Sequence, residues 1–223
     1  MRPSPTCQPG PGWVMPGYTV KMMSPSIIGS NHLVTRRVDL DNAVLHDIEL
    51  HAFGNVIVTY TEGEQYLEIT ADDNVIDYLM PHVDGQKLIL SPQEQISTKR
   101  PISYRLYIPH HQLNSLIVFG SGSIQLDQLE TEKLHCQISG QGAINIKSGH
   151  AVQQTVEISG QASYNAARFQ TDHSQITLFG QCQAHVHADQ SLHITISGMG
   201  SCTYSGNPRV QQDISGMGYV THS

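Results

Sequence analysis

Charge, aromatic rings and long apolar runs are all scarce in this sequence. Lys, Arg, Asp and Glu make up 14% of the 223 residues, and Phe, Trp and Tyr 6%. The surface must therefore rely on Ser, Thr, Asn, Gln and His. Basic residues number 12 against 19 acidic ones, a net charge of -7. Nucleic-acid binding needs clustered Lys and Arg, so no nucleic-acid partner is expected. No run of about 18 or more apolar residues exists, so no transmembrane helix is expected. Cysteine occurs only at Cys7, Cys136, Cys182 and Cys202. That spacing fits neither a CxxC metal motif nor a small disulfide scaffold. Residues 1–26 show no charged n-region followed by an apolar h-region, the pattern of a signal peptide. Nothing apolar precedes Cys7 to support lipid attachment there.

What is present is a recurring phrase. It reads Phe119-Gly120-Ser121-Gly122, Ser139-Gly140-Gln141-Gly142, Ser159-Gly160-Gln161-Ala162, Phe179-Gly180-Gln181-Cys182, Ser197-Gly198-Met199-Gly200 and Ser215-Gly216-Met217-Gly218. The first glycines, Gly120, Gly140, Gly160, Gly180, Gly198 and Gly216, stand 20, 20, 20, 18 and 18 residues apart. A fixed period near 20 marks a solenoid. Aligned on that glycine, Val118, Ile138, Ile158, Leu178, Ile196 and Ile214 stand two positions before it, and Leu116, Cys136, Val156, Ile176 and Ile194 four before. Ile124, Ile144, Tyr164, Ala184, Cys202 and Val220 stand four after it. These are same-face positions of two strands flanking a glycine turn. One such unit cannot bury its apolar face, but stacked copies can. The expected fold is all-β: a right-handed parallel β-helix of about 18–20 residues per coil. Glycine suits a corner needing positive φ, and the position two later holds only Gly, Ala or Cys.

Three portions are expected. Residues 1–26, rich in Pro and Gly, form an irregular tail in which Trp13 pins the segment to the body. Residues 27–115 form a less regular β portion, with strands at Tyr66–Thr70, Lys87–Leu90 and Ser103–Ile108 and a helical turn or bent strand near 73–79. Residues 116–223 form the regular repeat. Its last coil, lacking a capping helix, exposes strand edges. Residues 205–223 are therefore expected to be covered by the tail, a second subunit in a homo-oligomer, or lattice neighbours.

Candidate chemistry is sparse. Gly-x-Gly can cradle phosphate, but here it recurs six times and no helix follows it, so a structural corner is the better account. The cysteines of the repeat fall on inward columns and read as small buried hydrophobes. His185 and His187 share an outward face and could chelate Zn²⁺ or Cu²⁺; His173 and His193 are nearby in sequence, and the pattern fixes no third ligand, with Asp172 and Asp189 as candidates. A solvated polar face outweighs that reading, and His110-His111, after Pro109, is no stronger. The outward column five after the glycine reads Gln125, Asn145, Asn165, His185, Thr203. Such a ladder can stabilise the stack through side-chain hydrogen bonds or present a binding face to a protein or glycan partner. A carbohydrate-cleaving β-helix needs clustered acids, and the outward columns hold no stack of carboxylates. No catalytic residue and no cofactor are expected.

The repeat, with Ile196 through Val210 and the closing Ile-Ser-Gly-Met-Gly of 214–218, resembles the DUF2807 family, the auto-transporter adhesin head GIN domain. Ile28-Gly29-Ser30, Thr35-Arg36-Arg37, Asn74 through Leu79 and Tyr104 through Pro109 fit the same family, so the resemblance spans roughly 28–220. It implies a right-handed β-helix in an envelope-associated protein, often behind a leader or lipoprotein signal, with no established enzyme activity. Ala162 and Cys182 depart from the family's usual second glycine. The reading is a non-enzymatic cell-envelope or surface protein, adhesin-like or a scaffold; the alternative is a carbohydrate-binding or carbohydrate-modifying β-helix.

Overall fold

The side chains around each corner glycine alternate between core and solvent, and stacking follows from that alternation. In the computed structural model, which describes residues 26–40, 43–109 and 112–223, 67% of those residues lie in strands, and they form a parallel β-solenoid of about five turns. Cys7, Trp13, His110 and His111 lie outside the described residues. The strand pairs Leu129–Gly140 with Ala143–Ile146, Gly149–Gly160 with Ser163–Ala166, and Phe169–Gly180 with Gln183–His187 form successive coils. Ser191–Gly198 with Ser201–Ser205, and Arg209–Gly216 with Tyr219–His222, complete the stack. All pair in parallel, and Gly120, Gly140, Gly160, Gly180, Gly198 and Gly216 lie in one register column.

The columns fill the interior. Cys136, Val156, Ile176 and Ile194, and beside them Ile138, Ile158, Leu178 and Ile196, are fully buried. Each buried aliphatic side chain stabilises the stack by about 1.5–3 kcal/mol. Tyr164 is accommodated because Ala184 follows it in register. Its hydroxyl accepts a hydrogen bond from Gln154 Nε2. Ser174 Oγ donates to Gln154 Oε1 at 3.1 Å, Thr171 Oγ1 lies 2.6 Å from Ser174 Oγ, and Thr171 donates to the His187 carbonyl at 2.6 Å. A satisfied polar chain thus crosses the core of the regular coils, avoiding the penalty of orphaned buried groups there.

The corner is set by close approach. The six glycines have φ between 103° and 124°. A Cβ on Gly160 would stand 2.4 Å from the Gly140 carbonyl oxygen, and one on Gly140 would stand 2.4 Å from that of Gly120. Those oxygens are already acceptors: Gln161 N donates to Gly140 O at 2.9 Å, and Gln141 N to Gly120 O at 2.8 Å.

The first half of the chain caps the stack. Asp47–Tyr60 pairs in parallel along Ser115–Leu126, setting Asp47 on Ser115 and Gly54 on Gly122. It is therefore itself a coil, and residues 61–114 are inserted between it and the next. Lys87–Leu90 and Ser103–Ile108 add one more parallel layer on Asp47–Tyr60. Direction then reverses: Tyr66–Asp72 runs antiparallel to Ser103–Ile108, His82–Asp84 to Lys87–Leu90, and Leu33–Asp39 to Tyr66–Asp72. The segment near 73–79 holds a 3-10 turn at Ile76–Tyr78. At the junction Lys87 Nζ lies 2.6 Å and His51 Nε2 3.2 Å from the Glu49 carboxylate. Burial alone would raise the Glu49 pKa, but these hydrogen bonds outweigh it and hold the carboxyl below its ordinary value.

The far end is open. Arg209–Gly216 is exposed throughout, and Val210, Ile214, Met217 and Tyr219 all face solvent. Among the described residues the last two strands pair only with the preceding coil.

The corner and the cap can be tested with three variants. Gly160→Ala should lose about 2 kcal/mol or more in denaturant unfolding, because positive φ and the carbonyl clash combine. Gly85→Ala has φ of 60° but nothing within 4 Å of the added Cβ, so it should lose about 1–2 kcal/mol from backbone strain alone. Glu49, with its folded pKa below the unfolded value, contributes stability above the unfolded pKa and loses it as pH falls through the folded one. The stability gap between wild type and Glu49→Gln should therefore be widest near neutral pH and close as titration proceeds below about pH 4.

Candidate functional site

Beyond each corner glycine the first residue points outward, the second inward and the third outward again. Because the second is small, the backbone dips there, and the dips of successive coils join into a groove of about 760 Å³ running from Asn55 to Tyr219. Its floor is Gly122, Gly142, Ala162 and Cys182; a Cβ on Gly142 would meet Gly122 O and Val118 Cγ1, each at 2.9 Å. One wall is the column Gln141, Gln161, Gln181, Met199, the other Ser123, Ala143, Ser163, Gln183, Ser201. Gln161 Nε2 donates to Gln181 Oε1 at 3.2 Å, and Ser123 Oγ to Asn55 Oδ1 at 2.8 Å. Among the described residues the lining carries amides, hydroxyls and one exposed ring, Tyr219, with no Asp or Glu.

Beside this groove runs the outward column Gln125, Asn145, Asn165, His185, Thr203, each residue in register with the next. No side-chain hydrogen bond joins these five among the described residues, which leaves their polar groups toward solvent. A smaller cleft of about 360 Å³ lies between Asn145, Lys147, Asn165 and Arg168. Lys147 Nζ is 2.6 Å from Asp127 Oδ1.

The histidines are placed separately. His185 is exposed, whereas His187 is half-buried with both ring nitrogens engaged: Nδ1 lies 2.8 Å from Ser205 Oγ and Nε2 3.0 Å from Asp189 Oδ1. His173 Nδ1 lies 2.8 Å from Ser191 Oγ, and His193 Nε2 is 3.9 Å from Asp213 Oδ2. No group of three or more His, Cys, Asp or Glu side chains that could hold a metal ion occurs among the described residues. Metal chemistry by His185 and His187 would require His187 to give up one of these partners.

The cysteines of the repeat are buried free thiols. Burial pushes the Cys136 and Cys202 thiols up to about 12, and raises Cys182 as well. Cys182, in the groove floor, is 1% exposed and aims its thiol at the Phe179 carbonyl oxygen, 3.2 Å away. None has the thiolate character that nucleophilic chemistry needs.

The groove walls carry residues to which the sequence reading gave no role, namely Gln141, Gln161, Gln181 and Met199. Their signal lay inside the recurring phrase, in the variable residue of Gly-x-Gly. Its outward direction follows from strand parity once the corner is recognised.

The family DUF2807, described as "Putative auto-transporter adhesin, head GIN domain", matches residues 48–208. No curated protein matches the chain. Among solved structures, a "putative adhesin" from Bacteroides fragilis NCTC 9343 is 20% identical with a TM-score of 0.72, covering 89% of this chain and 100% of its own. One from Parabacteroides merdae ATCC 43184 is 21% identical with a TM-score of 0.56, over 90% of this chain and 100% of its own. Another from Parabacteroides distasonis ATCC 8503 is 19% identical with a TM-score of 0.53, over 89% and 100%. At these identities the likeness is one of fold.

The thiols give a direct check of the core. In a Cys7→Ser background, Cys136, Cys182 and Cys202 should react with a thiol reagent at pH 8 only after denaturant is added. Rapid labelling of the native protein would place one of them outside the core.

Proposed function

The chain belongs to the DUF2807 family, and on that premise we propose that it is a non-enzymatic, adhesin-like protein of the cell envelope or surface. It binds an extended glycan along its corner groove. The observation that supports this most is the groove itself, a trough whose walls are mainly amides and hydroxyls, with Gln141, Gln161 and Gln181 on three successive coils and no acid in its described lining. Coils repeat at roughly 4.8 Å, so equivalent donors and acceptors recur along the axis at that spacing. A ligand that repeats along its own length can engage many of them, each weakly, with the contacts summing. Tyr219, 62% exposed at one end, adds a face on which a sugar ring can stack. The neighbouring Asn145 and Asn165 widen the polar surface.

Most glycosidases cleave the glycosidic bond with two carboxyl groups flanking it. The groove lining supplies none, which supports binding rather than turnover. A glycan array read together with a polysaccharide-turnover assay tests the reading. Wild type is expected to bind a subset of glycans without releasing product. Combining Gln161→Ala with Gln181→Ala should weaken that binding about tenfold, equivalent to ~1.4 kcal/mol. Released product would establish a carbohydrate-modifying enzyme instead, and unchanged binding by the double variant would move the site off the groove.

A further inference from the structure

The open end of the stack combines a free strand edge with uncovered side chains of the core columns among the described residues. Arg209 N donates to Gln190 O at 2.9 Å and Met217 N to Gly198 O at 2.9 Å. Along a strand, the N–H and C=O of one residue point to the same side and those of the next to the other. The odd-numbered residues of Arg209–Gly216 therefore bond back into the stack. The backbone groups of Val210, Gln212 and Ile214 point off the free edge. The side chains of these three continue the inward columns, since they lie in register with Leu192, Ile194 and Ile196. Val210 and Ile214 are nonetheless 39% and 42% exposed. Among the described residues the edge is thus a row of backbone groups without a pairing strand beside uncovered core residues, an arrangement that invites pairing with another strand.

We propose that a second copy of this chain covers this end, its Arg209–Gly216 strand pairing antiparallel with the first about a twofold axis at Gln212. In that register Gln212 faces Gln212 of the other copy, and Val210 faces Ile214 on both sides of the axis. All three pairs use the groups that point off the edge, so each is a hydrogen-bonded pair. On the core side the pairing sets apolar against apolar at two places and amide against amide at the third. On the outer side Gln211 faces Asp213, and Arg209 lies diagonal to Asp213, within reach of a long side chain. Among the described residues the Asp213 carboxylate otherwise meets His193, at 3.9 Å.

Neighbouring registers fit less well. Centring on Gln211 sets Val210 against Gln212. Centring on Asp213 sets two carboxylates against each other, which is destabilising. Residues 1–25 are a poorer cover: Pro3, Pro5, Pro9, Pro11, Pro16 and Pro25 remove the N–H donors that edge pairing requires. The twofold arrangement is closed, because each copy's edge is consumed by the other, and it produces a dimer rather than a fibre. At this end, among the described residues, it leaves the short Tyr219–His222 edge uncovered.

Sedimentation of the full chain, oxidative cross-linking and amide hydrogen exchange test this together. Wild type should sediment as a dimer, with the Val210, Gln212 and Ile214 amides protected. Gln212→Pro, which removes one edge donor without touching a bond inside the stack, should weaken the dimer at least about tenfold while the far-UV spectrum is retained. In a Cys7→Ser background, Gln212→Cys should cross-link two copies readily. The Cα atoms of a hydrogen-bonded antiparallel pair lie about 5.5 Å apart, within disulfide reach. Gln211→Cys should cross-link far less, since its partner is Asp213. A wild-type monomer overturns the proposal, whether its edge amides exchange freely or are protected by residues 1–25. A dimer that survives Gln212→Pro and does not cross-link through position 212 overturns it equally.

Discussion

Successive corners of this solenoid approach so closely that the carbonyl oxygen of one glycine occupies the space where the Cβ of the next would be. For Gly160 above Gly140 that separation is 2.4 Å, and the same oxygen accepts the Gln161 N–H at 2.9 Å. The corner is thus both a steric limit and a hydrogen bond, and each holds the other in place. The register of every coil follows from it. Once glycine sits on glycine, Ile138 sits on Val118 and Ile158 on Ile138, and the interior fills without further instruction. The groove is the outside of the same feature: the dip that lets the backbone pass close to the core leaves a trough on the surface.

Much of this was legible in the chain. The glycine period sets the number and direction of coils, and the flanking apolar columns identify the core, because strand alternation is a local property that survives into the fold. The cap was less legible. Asp47–Tyr60 carries the same alternation as a coil, but its partner in the stack, Ser115–Leu126, comes after an insertion of residues 61–114. A period cannot be read across such an interruption, and the reversal of direction in Tyr66–Asp72 has no signature in alternation at all. The groove walls are hidden differently: Gln141, Gln161 and Gln181 occupy the variable position of a phrase whose constant residues already account for the turn. His187 shows a third limit. Its partners Asp189 and Ser205 lie two and 18 positions away, and only the stacked geometry brings a column neighbour such as Ser205 to a ring nitrogen.

The polar chain from Tyr164 through Gln154, Ser174 and Thr171 to the His187 carbonyl qualifies the picture of a purely aliphatic interior. An apolar column tolerates a slip of one coil, because isoleucine on isoleucine is much the same at any level. A connected set of donors and acceptors does not, since a shift would leave buried groups without partners. The chain therefore marks one level of a repetitive stack as unique.

The way the two ends are built also divides the molecule mechanically. Pulled from its last strand, the stack can come apart by peeling one coil at a time, each step breaking only the contacts between adjacent layers. Asp47–Tyr60 is different: it is held on one side by Ser115–Leu126 and on the other by Lys87–Leu90 and Ser103–Ile108. Tension entering there would have to shear several strands at once. A tether at the capped end would thus hold while a load at the other end unwound the coils in turn, dissipating work as a graded extension rather than a single rupture.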